Sequence, residues 1–325
     1  MEQKNRLQHL FLFLKGIAMG AADVVPGVSG GTIAFISGIY EELVNTIHNL
    51  NFSFFKTWKE NGFKKAWIAY NLTFLTVLFS GIFISIISLA KLIGWLLDNH
   101  PILVWSFFFG LILASIIYVG KEVKPWKPAI ILALLIAALG SYFITLAEPM
   151  ASPENNWYIV FSGFIAIIAM ILPGISGSFI LLLLGSYEVI LNTLNDLSIA
   201  LFSGNWELLW TSMVRIMLFI IGAVVGIKLF SGVLNWLFKN YKNITLAILT
   251  GFMIGALNKI WPWKDVLSWR LNSKGEQVAF MEESISPFKY AGDPQLLSAT
   301  ICAIIGFITI FLLEFIAVKK VKKND

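Results

Sequence analysis

The sequence predicts an all-α integral membrane protein built as an inverted-topology repeat. In each half, a re-entrant broken helical hairpin precedes three transmembrane helices. The 325 residues are 58% hydrophobic and only 13% charged, whereas soluble domains carry about 25% charged residues. Several apolar stretches reach the ~20 residues needed to cross the hydrocarbon layer. The third observation is an internal duplication.

The duplication places the same broken helix in each half of the chain. Residues 163–194 repeat residues 16–47 without a gap, and 12 of the 32 aligned positions are identical. The shared positions include a Pro-Gly-x-Ser-Gly motif, which interrupts an apolar stretch in both copies. Interrupted helices at corresponding positions of two halves are typical of a transporter binding site. Further identical pairs in this stretch are Gly38/Gly185, Tyr40/Tyr187 and Glu41/Glu188. Downstream, the similarity continues at an offset of 141 residues with Gly81/Gly222 and Gly110/Gly251.

The apolar segments divide residues 1–325 into one integral membrane domain of two repeats, 7–147 and 157–318. In the first repeat, the segments are 7–25, 30–47, 67–97, 102–120 and 128–147. In the second repeat, they are 157–172, 177–194, 211–238, 244–260 and 296–318. Residues 261–295 are an extracytoplasmic loop insertion, in which Arg270 to Met281 is predicted to form a small hairpin.

The distribution of basic residues predicts that both termini are cytoplasmic. With the N-terminus inside, the cytoplasmic pieces carry 16 of the 24 Lys and Arg residues, and the short outer loops carry none. This count requires each broken pair to enter and leave on one face. It does not separate a re-entrant hairpin from two full spans. The first arm of the second pair has only about 16 residues, near the lower limit for crossing, and therefore favours re-entry.

The two breaks have the composition of an anion-binding site. Proline ends the first arm of each pair and glycine lets the chain reverse, at Pro26, Gly27, Pro173 and Gly174. Ser29 and Ser176 are predicted N-caps of the second arms. The unpaired N–H groups at such helix starts attract anions. Small and hydroxyl residues leave these starts open, namely Gly30, Gly31, Thr32, Gly177 and Ser178. The alternative is close helix packing, for which small residues are also typical.

Ionisable residues inside predicted spans are functional candidates by default. The basic ones are Lys91, Arg215 and Lys228, although lysine and arginine near span ends also extend toward the membrane surface. The acidic ones are Asp23, Glu41 and Glu188, which we expect to be candidates for proton coupling. Asp23 is three residues before Pro26, and its counterpart in the second copy is Met170.

Residues for other kinds of chemistry are scarce. The three histidines lie at span edges, and the single Cys302 excludes an internal disulfide. The sequence predicts no enzyme, no metal site and no cofactor. It also predicts no nucleic-acid partner, because the basic residues cluster beside spans. It does not fix the oligomeric state.

The motifs MGAADVVPGVSGGTIAFISGIYEEL and ILPGISGSFILLLLGSYEVIL resemble those of the bacterial polyprenyl-phosphate transporter family, the PopT group. The resemblance covers essentially the whole chain. It implies translocation of undecaprenyl phosphate from the outer to the cytoplasmic leaflet of the bacterial cytoplasmic membrane, for reuse in cell-envelope synthesis. In this interpretation the two breaks and the helix starts that follow them hold the phosphate. Lys91, Arg215 and Lys228 add positive charge along the path, and protons are the candidate coupling ion.

Two other functions are compatible with parts of this sequence pattern. A channel or exchanger for a small inorganic anion could use the same opposed helix starts, but it requires a pore sealed from lipid. A lipid phosphatase requires clustered histidines or acids near one face, and the sequence shows none. A lipid substrate instead predicts a lateral opening to the bilayer.

Overall fold

The computed structural model describes residues 6–25, 28–150, 155–271 and 277–321, and within these ranges it is almost entirely helical. The first half contains α1 Arg6–Val24, α2 Gly30–Ile36, α3 Tyr40–Asn49, α4 Ser53–Asn61, α5 Phe63–Ala69, α6 Leu72–Asn99, α7 Pro101–Glu122 and α8 Pro128–Thr145. The second half contains α9 Asn156–Ile171, α10 Gly177–Leu183, α11 Ser186–Ser203, α12 Trp206–Ala256, strands β1 Lys264–Leu271 and β2 Gln277–Ser284, and α13 Leu296–Val321.

The helix lengths confirm a multi-pass, all-α membrane protein. Among the described residues, five helices are long and apolar enough to cross a membrane, or six if the bent pair α10–α11 is one span. The helix Asn156–Ile171 and the part Leu296–Leu312 of α13 are shorter apolar helical segments. Much of the apolar side-chain surface faces outward, as in Phe83, Ile136 and Met217, which suits contact with lipid.

The second arm of each broken pair is itself broken, so each of the predicted segments 30–47 and 177–194 contains two helices where we expected one. Gly38 ends the α2 segment with φ +72°, and Gly185 separates α10 from α11 with φ +66°. Glycine adopts this left-handed conformation without the steric cost that a Cβ brings. The helices α10 and α11 consequently meet at 106°.

The two spans predicted at 211–238 and 244–260 are joined in α12, which is kinked where Tyr241 leaves the helical conformation (φ −139°, ψ 45°). The predicted cytoplasmic loop after the first pair contains the short helices α4 and α5. These expose Phe55, Trp58 and Phe63 beside the lysines of the same helices. Exposed aromatic rings next to basic residues are typical of a segment at the membrane surface.

Corresponding helices pack in the same way in both halves. The first helix of each pair crosses the first long helix that follows it, with Gly16 against Gly81 in one half and Gly163 and Gly222 at the crossing in the other. At these glycines a Cβ would overlap the backbone of the partner helix. Similarly, α7 packs along α13 and α8 along the second part of α12. The recurrence supports the duplication, whereas the opposite orientation of the halves stays a prediction.

The loop before α13 contains the predicted hairpin, which is longer than expected. Strands β1 and β2 pair antiparallel from Lys264 opposite Ser284 to Leu271 opposite Gln277. Side chains fasten the base of the hairpin to the helices, because Ser284 Oγ donates to the Asn258 carbonyl at 2.9 Å and Trp261 Nε1 donates to the Ile285 carbonyl at 2.8 Å. The hairpin therefore covers the end of α12.

Candidate functional site

The two helix breaks touch each other in the interior of the protein. Ser29 Oγ donates to the Met170 carbonyl at 3.0 Å, and the Gly174 N–H donates to Thr32 Oγ1 at 2.9 Å. We call residues 28–32 the first tip and residues 170–178 the second tip. Gly31 lies so close to the carbonyls of Met170 and Ile171 that a Cβ would overlap them. Residues from the two halves of the chain thus form one polar junction.

The first tip is enclosed, and the carboxyl group of Asp23 is hydrogen-bonded to it. Ser29 is the N-cap of α2, and its Oγ accepts a hydrogen bond from the Gly31 N–H at 3.1 Å. Asp23 Oδ1 accepts from the Gly30 N–H at 2.6 Å. Gly30, Gly31 and Thr32 are buried. The Asp23 carboxylate therefore occupies the electropositive start of α2, where a helix favours negative charge.

The second tip is more open and has a different set of polar groups. Its residue corresponding to Asp23 is Met170, whose thioether cannot replace a carboxylate. Ser176 is at the N-cap position, but within the described residues its side chain accepts no cap bond and lies 2.8 Å from Ser178 Oγ instead. Gly177 is half-buried and Ser178 is exposed. The start of α10 is thus accessible from outside the helix packing.

The second break depends on Gly174. Its φ is +89°, and a Cβ at this position would lie 2.8 Å from the Phe252 carbonyl oxygen. Pro173, before it, is buried. The corresponding Pro26 and Gly27 lie outside the described residues.

Replacing Gly174 with alanine is expected to lower the thermal unfolding temperature of the detergent-solubilised protein. The positive φ costs an L-residue roughly 1–2 kcal/mol, and the overlap with α12 adds the strain of an overpacked interior, about 1–3 kcal/mol. The matched control is Gly140→Ala, because a Cβ at Gly140 meets no atom within 4 Å in the described structure. An equal effect of both alanines would contradict the role assigned to Gly174.

Lys259 is a site residue that the sequence did not single out. It lines a cavity of about 10 Å³ together with Ser141, Gly174 and Ser176. Its Nζ lies 4.8 Å from the centre of the Phe179 ring, and Phe179 belongs to α10. A cation therefore stands beside the second tip. Lys259 lies at the end of an apolar span, on the face predicted to be extracytoplasmic. Basic residues are usually scarce on that face, so its position was a signal in the sequence that could have identified it.

Within the described residues, no hydrogen bond or ion pair joins the three predicted basic residues to the tips. Lys91 is exposed on α6, and Arg215 is exposed on α12. Lys228 Nζ donates to the carbonyls of Ile47, His48 and Leu50 at 3.1, 2.7 and 2.6 Å. Basic groups stabilise the carbonyl end of a helix, so Lys228 fastens the end of α3 to α12 in this conformation.

Of the three predicted acidic residues, Asp23 is the one that contacts a tip in the described part of the chain. Glu41 Oε1 lies 2.7 Å from Lys242 Nζ, and Glu188 is exposed in the first turn of α11. Glu41 also lines a second cavity, of about 680 Å³, with Asn45, Asn235 and Lys239. This larger cavity lies on the face predicted to be cytoplasmic.

Comparison with known proteins gives consistent matches. Residues 19–278 match a family model described as undecaprenyl phosphate translocase-like. A polyprenyl-phosphate transporter of Vibrio cholerae is 47% identical over 284 residues, which cover 87% of this chain and 88% of the relative. A polyprenyl-phosphate transporter of Staphylococcus aureus is 30% identical over 263 residues, covering 77% and 85%. No solved structure matches.

Proposed function

The chain belongs to the undecaprenyl phosphate translocase-like family, and on that premise we propose that it moves undecaprenyl phosphate from the outer to the cytoplasmic leaflet of the bacterial cytoplasmic membrane. Returning the lipid carrier in this direction makes it available again for cell-envelope synthesis. The relatives are named as transporters, which agrees with the prediction that the chain is not an enzyme.

The contact between the two tips is the observation that carries this proposal. It joins both breaks through Ser29, Thr32 and Gly174, and it leaves the start of α10 accessible at Ser178. In our proposal the phosphate oxygens accept hydrogen bonds from Gly177, Ser178 and Ser176. The Lys259 ammonium group supplies positive charge beside them.

Moving only the head group makes the transport physically feasible. The polyprenyl tail is apolar and can remain in the bilayer throughout. A bare phosphate in hydrocarbon costs tens of kcal/mol in the limiting Born estimate, so the protein must supply polar partners along the whole path. In our proposal the junction of the tips provides such partners inside the membrane. The small cavity at Lys259 is lined by Gly174 and Ser176 of the second tip, and the large cavity is lined by Glu41 of α3.

Asp23 is our candidate for coupling transport to protons. Its carboxylate now holds the start of α2, at the place that a second anion would favour. Protonation would remove the charge of Asp23 and allow a phosphate to approach the first tip. Rocking of one repeat against the other would then expose the junction to each face in turn.

Access from the side distinguishes this function from a channel or exchanger for a small inorganic anion. A pore sealed from lipid would enclose both tips, whereas Ser178 is exposed, and in our proposal it faces the lipid. A lipid head group with its tail outside requires such lateral access. The exposed second tip therefore favours the lipid phosphate.

A liposome assay tests the proposal. The purified protein is reconstituted with labelled undecaprenyl phosphate, and exposure of the phosphate in each leaflet is followed with and without a proton gradient. We expect the phosphate to equilibrate or accumulate across the bilayer faster than in liposomes without protein. Equal rates in the two preparations would refute the proposed function.

A further inference from the structure

Two lysines share one carboxylate at the base of the hairpin. Lys259 Nζ lies 3.7 Å from Glu282 Oε2, and Lys264 Nζ lies 3.3 Å from the same oxygen. The side chains of Lys259, Lys264 and Glu282 are 21%, 9% and 26% exposed. In addition, Lys264 Nζ sits 3.9 Å from the centre of the Trp105 ring. We call these three charged residues the hairpin cluster.

The hairpin cluster carries an excess positive charge. Burial lowers the pKa of Lys264 to about 8, although the neighbouring Glu282 raises it. At pH 7 Lys264 is therefore still mainly protonated. The described ion pairs thus give two ammonium groups one carboxylate, and partly buried cations are costly unless they are paired. The aromatic rings of Phe179 and Trp105 compensate part of this cost through cation–π contacts.

The hairpin cluster adjoins the second tip. Lys259 belongs both to the cluster and to the wall of the cavity that Ser176 lines. That cavity measures about 10 Å³, which is room for about one water molecule. A phosphate group therefore requires the wall to move. Glu282 is carried by β2, whose end is fastened to the chain after α12 through Ser284 and Asn258.

We infer that Glu282 forms a latch over Lys259 and Lys264, and that the phosphate monoester of the incoming lipid opens it by replacing Glu282 as the partner of both lysines. This inference rests on the proposed function. It makes Lys259 and Lys264 the residues that the phosphate contacts first when the lipid approaches from the face that carries the hairpin. A phosphate monoester carries a charge of about −1.5 to −2 at pH 7. It therefore satisfies two ammonium groups better than one carboxylate does.

Equilibrium binding of undecaprenyl phosphate to the full chain in lipid nanodiscs tests the latch. Glu282→Gln removes the competing charge and is expected to tighten binding about threefold to tenfold. Lys259→Gln is expected to weaken binding about tenfold. In the double variant, Glu282→Gln should tighten binding less than it does alone, because Lys259, the lysine that Glu282 would otherwise neutralise, is absent. The matched control is Glu283→Gln, an exposed glutamate at the next position of the same strand, which should bind as the wild type does.

Binding of two further ligands shows whether the cluster recognises a lipid phosphate or free inorganic phosphate. Inorganic phosphate shares the charge but lacks the tail, and undecaprenol has the tail without the charge. We expect Glu282→Gln to improve binding of undecaprenyl phosphate and leave undecaprenol unaffected. If inorganic phosphate binds the wild type as tightly as the lipid does, the cluster is a site for the free anion and the inference is wrong.

Hydrogen exchange of the wild type provides a test that needs no variant. We expect β2 to exchange its amides faster when undecaprenyl phosphate is added, since the latch opens. Unchanged exchange, or weaker binding by Glu282→Gln, would overturn the latch while leaving the transport function intact. Failure of the wild type to bind the lipid at all would instead count against the proposed function.

Discussion

Replacing Gly31 with alanine is expected to reduce transport by about 100-fold in the liposome assay. A Cβ at Gly31 would lie 2.6 Å from the Ile171 carbonyl oxygen and 2.8 Å from that of Met170. The two tips would have to separate, because both neighbours are backbone atoms. Displacements near 1 Å at a functional site can cost about two orders of magnitude in rate.

The control for this variant is Gly140→Ala, which adds the same methyl group to a helix, at a point where no described atom from outside that stretch of helix lies within 4 Å of it. We expect wild-type transport from the control. Both variants should be compared at equal amounts of folded, reconstituted protein, judged by size-exclusion chromatography. Wild-type rates for Gly31→Ala would mean that transport does not need the close contact between the tips.

Asp23→Asn is expected to slow transport at least tenfold and to make the residual rate insensitive to a proton gradient. Asparagine keeps an oxygen that can accept from the Gly30 N–H, so the break should retain its shape. It removes the charge, however, and hydrogen bonds to charged groups contribute about 1.5–3 kcal/mol. A neutral residue can no longer exchange a proton during the cycle.

The measurement is the initial transport rate with and without an imposed pH difference across the liposome membrane. Asp98→Asn serves as the control, because Asp98 is an exposed carboxylate near the end of α6 and far from residues 23–32 in the sequence. Its rate and its gradient response should equal those of the wild type. An unchanged gradient response in Asp23→Asn would remove Asp23 from the coupling mechanism.

The duplication makes the centre of the fold predictable. Proline and glycine interrupt a helix through local backbone geometry, so two copies of Pro-Gly-x-Ser-Gly are enough to indicate two breaks. The contact between Thr32 and Gly174 agrees with that interpretation. The additional turns at Gly38 and Gly185 were not predicted, although both glycines are identical in the two copies, because a single glycine in an apolar stretch does not by itself end a helix.

Other features depend on distant contacts and could not be predicted from local sequence. Lys228 lies inside an apolar stretch, and its role as a phosphate ligand stays a prediction. In the structure, the packing of α3 against α12 supplies three carbonyls for its ammonium group, which local sequence did not indicate. Lys259 is a candidate phosphate ligand because tertiary contacts bring Glu282 of the hairpin and Phe179 of α10 to it. A single sequence does not show which of several lysines a tertiary contact will recruit.

The most direct test of the central claim is the position of the phosphate in a structure of the protein with bound undecaprenyl phosphate in nanodiscs. We predict the phosphorus at the second tip, with phosphate oxygens within hydrogen-bonding distance of Ser178 and the polyprenyl tail leaving sideways into the lipid. A phosphate bound in the wide cavity beside Glu41, with both tips unchanged and out of its reach, would contradict the claim.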